Sequence, residues 1–101
     1  MIDFLAPLSR DVWSLAIIGD TERLREVLDK EPRLARSAGE YETPLMWLAA
    51  DEDRALEIAQ MLVANGADPR VADRAGRTAA DLAERRGMAR VAEFLRNAEG
   101  K

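Results

Sequence analysis

The chain of 101 residues contains no cysteine and no histidine, and these two absences exclude several kinds of site. Without cysteine there is no disulfide framework and no thiol nucleophile. A zinc site would need carboxylate ligands alone, which is unusual. The side chain that most readily serves as a general base near neutral pH is also missing. An enzyme would have to work with carboxylates, lysine, serine or tyrosine, so we expect no enzymatic activity and no cofactor or metal.

Long apolar runs are missing too. Runs such as residues 12–18 are far shorter than the roughly 20 residues of a membrane-spanning helix. The first eight residues, MIDFLAPL, include an acid and no basic residue, so they do not resemble a signal peptide. With 48% hydrophobic and 34% charged residues, the composition is that of a globular protein. We expect one cytoplasmic domain that contacts no membrane, and the alanine- and arginine-rich composition is compatible with a bacterial source.

Local signals near the C-terminus predict a pair of short helices. Thr78 can cap a helix with its hydroxyl, and Asp81 can reach back to the amide of the cap. The stretch AADLAERR favours helix and stops at Gly87, a residue that tolerates the left-handed end of a helix. The apolar residues at 91, 94 and 95 then form the single stripe of a second helix.

The same order of signals recurs upstream. Thr43 is a potential cap, Pro44 stands where its missing amide costs nothing, and LMWLAA predicts a helix. The stretch ALEIAQMLVANG predicts a second helix that ends at Gly66.

A third pair is predicted nearer the N-terminus. DVWSLAIIG predicts a helix that ends at Gly19, and DTERLREVLDK predicts a helix that Pro32 stops. The segments between consecutive pairs are too polar and too broken by turn residues for helix: PRLARSAGEYE and ADPRVADRAGR.

These signals lay out an internal repeat on the order of 33 residues, with 35 residues from Thr43 to Thr78. The chain resembles the ankyrin-repeat family in four successive segments: TPLMWLAA, LEIAQML, NGAD and DRAGRTAADLA. Residues 43–96 carry the resemblance best, and residues 11–42 match more loosely.

The resemblance implies an all-α fold, an ankyrin-repeat solenoid of three helix-turn-helix pairs joined by hairpin-like loops. Residues 1–10 would be an N-terminal capping segment. Residues 11–36, 37–70 and 71–101 would be repeats 1, 2 and 3, the last with a C-terminal cap.

The spacing around residues 66–78 is then a requirement of the scaffold. Gly66 ends a helix, Asp73 bonds the backbone of the turn, and Gly76 turns the hairpin before Thr78 begins the next helix. These positions are not expected to form a site.

Members of this family typically bind proteins through hairpin tips and inner-helix faces, so the resemblance implies a protein-protein interaction module. Aligned to the family pattern, the tips and inner-helix ends give these candidate partner-binding residues: Glu40, Tyr41, Glu42, Asp51, Arg74, Arg77, Arg85, Arg86, Ile17 and Ile18. Tyrosine and arginine often carry interface energy, which favours Tyr41, Arg74 and Arg77 as contacts. Three large residues are expected to fill the interface between repeats: Trp13, Met46 and Trp47. Trp13 or Met46 becomes a contact candidate if it faces the concave groove instead.

Charge is uneven along the chain. Residues 37–68 hold seven acids against one arginine, whereas residues 69–96 hold seven arginines against four acids. This pattern indicates either solvated faces with local ion pairs or patches that orient a partner. The formal net charge of −4 opposes phosphate, so we expect a protein partner and no nucleic acid. The acidic stretch at residues 51–54 is expected to be an exposed turn rather than a calcium site.

Ile17 and Ile18 stand at positions that are exposed in the family pattern. MIDFLAPL could cover them, or they could meet a second subunit or a preceding domain. A second hypothesis is therefore a regulatory or structural docking domain of a larger chain, which could itself be an enzyme. For the chain alone we expect a monomer or weak self-association.

Overall fold

The computed structural model describes residues 8–36 and 43–100, and the regular secondary structure within these ranges is helical. Five α-helices occur there: α1 (Leu8–Ile18), α2 (Thr21–Lys30), α3 (Glu52–Ala64), α4 (Ala79–Arg85) and α5 (Ala89–Glu99). Two 3-10 segments add to them, Pro32–Arg36 and Pro44–Met46. The same ranges contain no strand, only an isolated antiparallel bridge between Ala72 and Thr78. The all-α prediction is confirmed.

The helices lie in two layers. In one layer, the 3-10 turn Pro44–Met46 lies between α1 and α4 and contacts both. In the other, α3 lies between α2 and α5 and packs against both. Contacts between consecutive helices join the two layers: α1 packs on α2, and α4 packs on α5. The first helical element of each predicted pair therefore lies beside its counterpart in the next pair.

One apolar core runs between the layers. Its largest fully buried side chains come from every α-helix except α4: Val12, Leu24, Ile58, Leu62, Val91 and Leu95, with Leu45 from the second 3-10 segment. Nearly half of the buried hydrophobic residues are alanines, and α4 contributes Ala79, Ala80 and Ala83. Small side chains let helices approach closely but bury little apolar area each. Polar contacts between the pairs therefore matter for the stability of so small a core.

The predicted signals at the C-terminal pair are confirmed. Thr78 and Asp81 form a reciprocal capping box at the start of α4. Gly87 follows α4 with φ +79°, in the left-handed region, and α5 starts two residues later. Val91 and Leu95 are fully buried on α5, and Phe94 packs against the core from its edge.

The predicted helix over LMWLAA is wrong. Only Pro44–Met46 form a 3-10 turn, and Thr43 makes no capping hydrogen bond although its backbone is extended. The Asp51 carboxylate accepts the amide of Asp53 and begins α3 there, one turn earlier than predicted. Met46 stands where a capping box would need an acid, so the turn that begins at Pro44 lacks the cap that a short helix needs.

The segment after α2 is more regular than its polarity predicted. Residues 32–36 form a 3-10 helix that contacts α1, α2 and α3. Pro32 stops α2, and burial of Ala35 with partial burial of Leu34 holds the next turn against the core. Among the helices of the described ranges, none combines the length and apolarity needed to cross a membrane.

Candidate partner-binding groove

A hairpin tip over residues 73–77 is built around one carboxylate. Asp73 Oδ1 accepts the amide N–H of Ala75 and that of Arg77, each at 2.9 Å, and Oδ2 accepts the Arg77 Nε–H at 3.1 Å. These bonds, chiefly the one from the Arg77 amide, hold the pKa of the Asp73 carboxyl below its usual value. The predicted role of Asp73 in the turn is confirmed. Its negative charge therefore interacts with hydrogen-bond donors of the hairpin itself.

The capping box fixes the helix that follows this hairpin. The Asp81 carboxylate accepts the Thr78 amide at 3.0 Å, and the Thr78 hydroxyl accepts the Asp81 amide at 3.4 Å. The bond from the Thr78 amide, followed by the bond from the Arg96 guanidinium, lowers the pKa of the Asp81 carboxyl. Arg96 also pairs with Glu84 at 2.8 Å, so α4 is tied to α5. The hairpin and α4 are thus held in one orientation.

A groove of about 480 Å³ lies where the hairpin, α4 and the second 3-10 segment meet. Its lining residues come from those three elements: Met46, Trp47, Asp73, Arg74, Ala75, Arg77, Leu82, Arg85 and Arg86. The volume is typical of sites that bind small ligands or anchor side chains. All four candidate arginines of the sequence analysis line this one groove.

Trp47 gives the groove an exposed apolar surface. This tryptophan is 45% exposed, whereas the neighbouring Met46 is only 7% exposed and Trp13 is half-buried. The expectation that Trp47 fills an interface between repeats is wrong. Trp47 follows the turn at Pro44–Met46, and its side chain lines the groove.

The groove arginines differ in what holds them. Arg86 donates to two backbone carbonyls of the neighbouring segment, that of Leu48 at 2.9 Å and that of Ala49 at 3.4 Å. Because these carbonyls are neutral, they hold the Arg86 guanidinium at the groove wall without neutralising its positive charge. Arg77 pairs with Asp73 at 3.1 Å. The side chain of Arg85 is exposed and makes no hydrogen bond or ion pair with a residue of the described ranges.

The acidic turn at residues 51–53 serves the scaffold. Asp51 caps α3 and lies 3.7 Å from the Arg54 guanidinium. Glu52 accepts the backbone amide of Arg90 at 2.9 Å, and so caps α5, whose own cap residue provides no side-chain bond. Asp53 pairs with the Arg90 guanidinium, and this bond is the main cause of the raised pKa of Arg90. No group of acids placed to hold a metal ion occurs in the parts of the chain that are described.

The remaining candidates lie elsewhere. Asp51, Ile17 and Ile18 do not line the groove. Ile17 and Ile18 end α1, where they are 51% and 70% exposed. Glu40, Tyr41, Glu42 and the first seven residues of the predicted capping segment fall outside the described ranges.

Several residues that join neighbouring pairs were missed. Arg54 donates to the Gly19 carbonyl at 2.9 Å, much as Arg86 does one pair later. Arg25 of α2 pairs with Glu57 of α3 at 2.8 Å. Arg54 and Arg86 each follow the carbonyl that they contact by about one repeat length. This spacing was the sequence signal that could have revealed the contacts.

In a comparison with known families, the model of the ankyrin repeat matches residues 40–74. The suspected resemblance to this family is thus confirmed over a segment that contains α3 and reaches the hairpin. Repeats of this family generally act as protein-protein interaction modules. Comparisons with curated proteins and with solved structures gave no match.

Proposed function

We propose that the protein is a non-enzymatic interaction module that binds a protein partner through its hairpin tips and concave inner-helix face. The observation that carries this proposal is the groove, which combines an exposed tryptophan with four arginines. Tryptophan and arginine are enriched among residues that dominate binding energy. A groove of these residues on a folded scaffold suits recognition of a protein surface or segment.

We further propose that the chain is a stack of three ankyrin-like pairs, divided at the predicted boundaries. Three observations support this arrangement. The helical elements fall into two layers, the pairs follow one another in order, and the central pair lies within residues 40–74. Stacks of this kind present an extended surface along the inner layer, where the groove lies.

A site-specific cross-linking experiment tests the binding function. We would place benzoylphenylalanine at Ala75, which lines the groove, and separately at Ala64, an exposed alanine on α3 outside it. Both variants would be irradiated in cell lysate after a check of their circular dichroism. We expect position 75 to capture one or a few proteins that position 64 does not. The same captured set from both positions, or none from either, would contradict the proposal.

The exposed end of α1 favours a second candidate function, docking to another part of a larger chain. Ile17 and Ile18 are large apolar side chains side by side in solvent, which often marks an interaction surface. Sedimentation of the wild type and of Ile17→Ser/Ile18→Ser across a concentration series measures whether the chain self-associates through this end of α1. Self-association lost in the double variant would support the docking function. A wild type that stays monomeric at high concentration would count against it.

A further inference from the structure

The charge at the groove is opposite in sign to that of the whole chain. The chain carries a formal net charge of −4, yet the groove has four guanidinium groups against one carboxylate. That carboxylate, Asp73, already accepts three hydrogen bonds from the hairpin. The acids of the turn at residues 51–53 are engaged by Arg54 and Arg90 outside the groove. The groove would therefore attract an anionic partner although the net charge of the chain is negative.

The arginines are arranged to receive carboxylates. Arg86 and Arg77 are held in place by the Leu48 carbonyl and by Asp73, so little side-chain freedom remains for a ligand to remove. The side chain of Arg85 is exposed and bonds no residue of the described ranges, so its guanidinium can donate two parallel hydrogen bonds to a carboxylate. The charged part of the groove thus combines two guanidinium groups held in place, those of Arg77 and Arg86, with that of Arg85, which can bind a carboxylate of a ligand.

The apolar part of the groove comes from the second 3-10 segment, from the residue after it and from α4. Trp47 is 45% exposed, and Leu82 and Met46 line the same groove. A single large apolar side chain would cover these surfaces and remove them from water. The groove therefore has complementary places for an apolar anchor and for acids on its flank.

We propose that the groove binds an acidic peptide segment of the partner, in which one large apolar side chain packs on Trp47 and flanking Asp or Glu carboxylates bind the groove arginines. This inference rests on the proposed interaction function and specifies its partner. A peptide is favoured over a nucleic acid because a longer polyanion would extend from the groove over a molecule whose net charge is negative.

Selection from a displayed library of random peptides tests this chemistry. We expect enrichment of peptides with two or more acids beside an aromatic or large aliphatic residue. The best peptide, synthesised with a fluorescent label, would be titrated by anisotropy against the wild type, Arg85→Glu, Trp47→Ala and Arg23→Glu. Arg23 is an exposed arginine on α2 outside the groove, so its reversal is the matched charge control. Circular dichroism and thermal unfolding would be compared for every variant first.

Arg85→Glu should weaken binding about tenfold, since it replaces attraction by repulsion at a solvent-exposed pair. Trp47→Ala should weaken it by a similar factor, and Arg23→Glu should change it less than about twofold. Raised salt should weaken binding of the wild type through screening. These results together would support the inference.

Other outcomes separate this inference from the function on which it rests. Enrichment of neutral or basic peptides, no enrichment at all, or equal loss in Arg85→Glu and Arg23→Glu would overturn the acidic-peptide inference. So would a labelled single-stranded oligonucleotide of equal charge that binds as tightly and with the same dependence on Arg85. In each of these cases, cross-linking from position 75 decides separately whether the interaction module stands.

Discussion

Residues 43–51 and residues 78–86 lie in the same layer and begin alike, each with a threonine in extended conformation. The second segment becomes α4, because the Thr78–Asp81 box satisfies its first amides and the chain turns at Gly87. In the first segment Met46 occupies the position of Asp81 and cannot form the box. Asp51 then starts α3. Helix propensity is similar in both segments, and what differs between them is the cap.

The two segments also depend on each other. The shorter one leaves the Leu48 and Ala49 carbonyls without helical partners, and Arg86, which follows α4, donates to both. An arginine from the well-formed segment thus satisfies carbonyls of its neighbour, as Arg54 does for the Gly19 carbonyl one pair earlier. Trp47 stands four residues after Thr43, as Leu82 does after Thr78, and both side chains line the groove. The candidate site is therefore built jointly by the irregular segment and by α4.

The largest expected effect contrasts the two turns that end α1 and α4. Gly19 and Gly87 both have positive φ, +88° and +79°. A methyl group at Gly19 would lie 3.1 Å from the Ala49 Cβ, whereas at Gly87 it would meet no atom within 4 Å. Gly87→Ala should cost about 1 kcal/mol for the left-handed backbone alone, and Gly19→Ala about 3 kcal/mol with the added crowding. Urea unfolding measures both; equal costs would mean that the segment at Ala49 yields freely.

The next effect tests whether Arg86 holds the irregular segment. Arg86→Ala leaves two carbonyls of buried residues without their charged donor, so the free energy of unfolding should fall by about 2 kcal/mol. Arg85→Ala is the matched control at the same helix end, and it should change this free energy by less than about 0.5 kcal/mol. Similar losses for the two alanine variants in thermal or urea unfolding would contradict the role given to Arg86.

The threonines give a smaller contrast. Thr78→Val removes the hydroxyl that caps α4, and should cost about 1 kcal/mol. Thr43→Val keeps the shape of a side chain that is 4% exposed and removes a hydroxyl that caps nothing, so its cost should stay within about 0.5 kcal/mol. Equal destabilisation of the two variants in urea unfolding would contradict the claim that, of the two threonines, only Thr78 caps a helix.

Sequence predicted best those features that neighbouring residues determine. Thr78, Asp81 and Gly87 act within one turn of where they stand, and the predicted pair from α4 to α5 is confirmed. Arg86 acts on carbonyls 38 and 37 residues away, a contact that no local pattern specifies. Four of the candidate binding residues, all arginines, line one groove. Trp47 was assigned to the interior because it is large and stands on a predicted inner helix, and its 45% exposure depends on packing between distant segments.

The smallest effect is a dependence of the hairpin on pH. Hydrogen bonds from the backbone and Arg77 lower the pKa of Asp73 in the folded protein, so the carboxylate stabilises the fold at pH values above its ordinary pKa of about 3.9. This stabilisation is lost as the pH falls through the lowered pKa, where the folded protein also takes up the proton. In Asp73→Asn the contribution is absent throughout. The free energy of unfolding should therefore differ between wild type and variant by a constant amount near neutral pH, and the difference should shrink below pH about 4. A gap that persists unchanged in acid would mean that the amide disrupts the hairpin by its shape, and that charge on Asp73 contributes nothing to the tip that borders the groove.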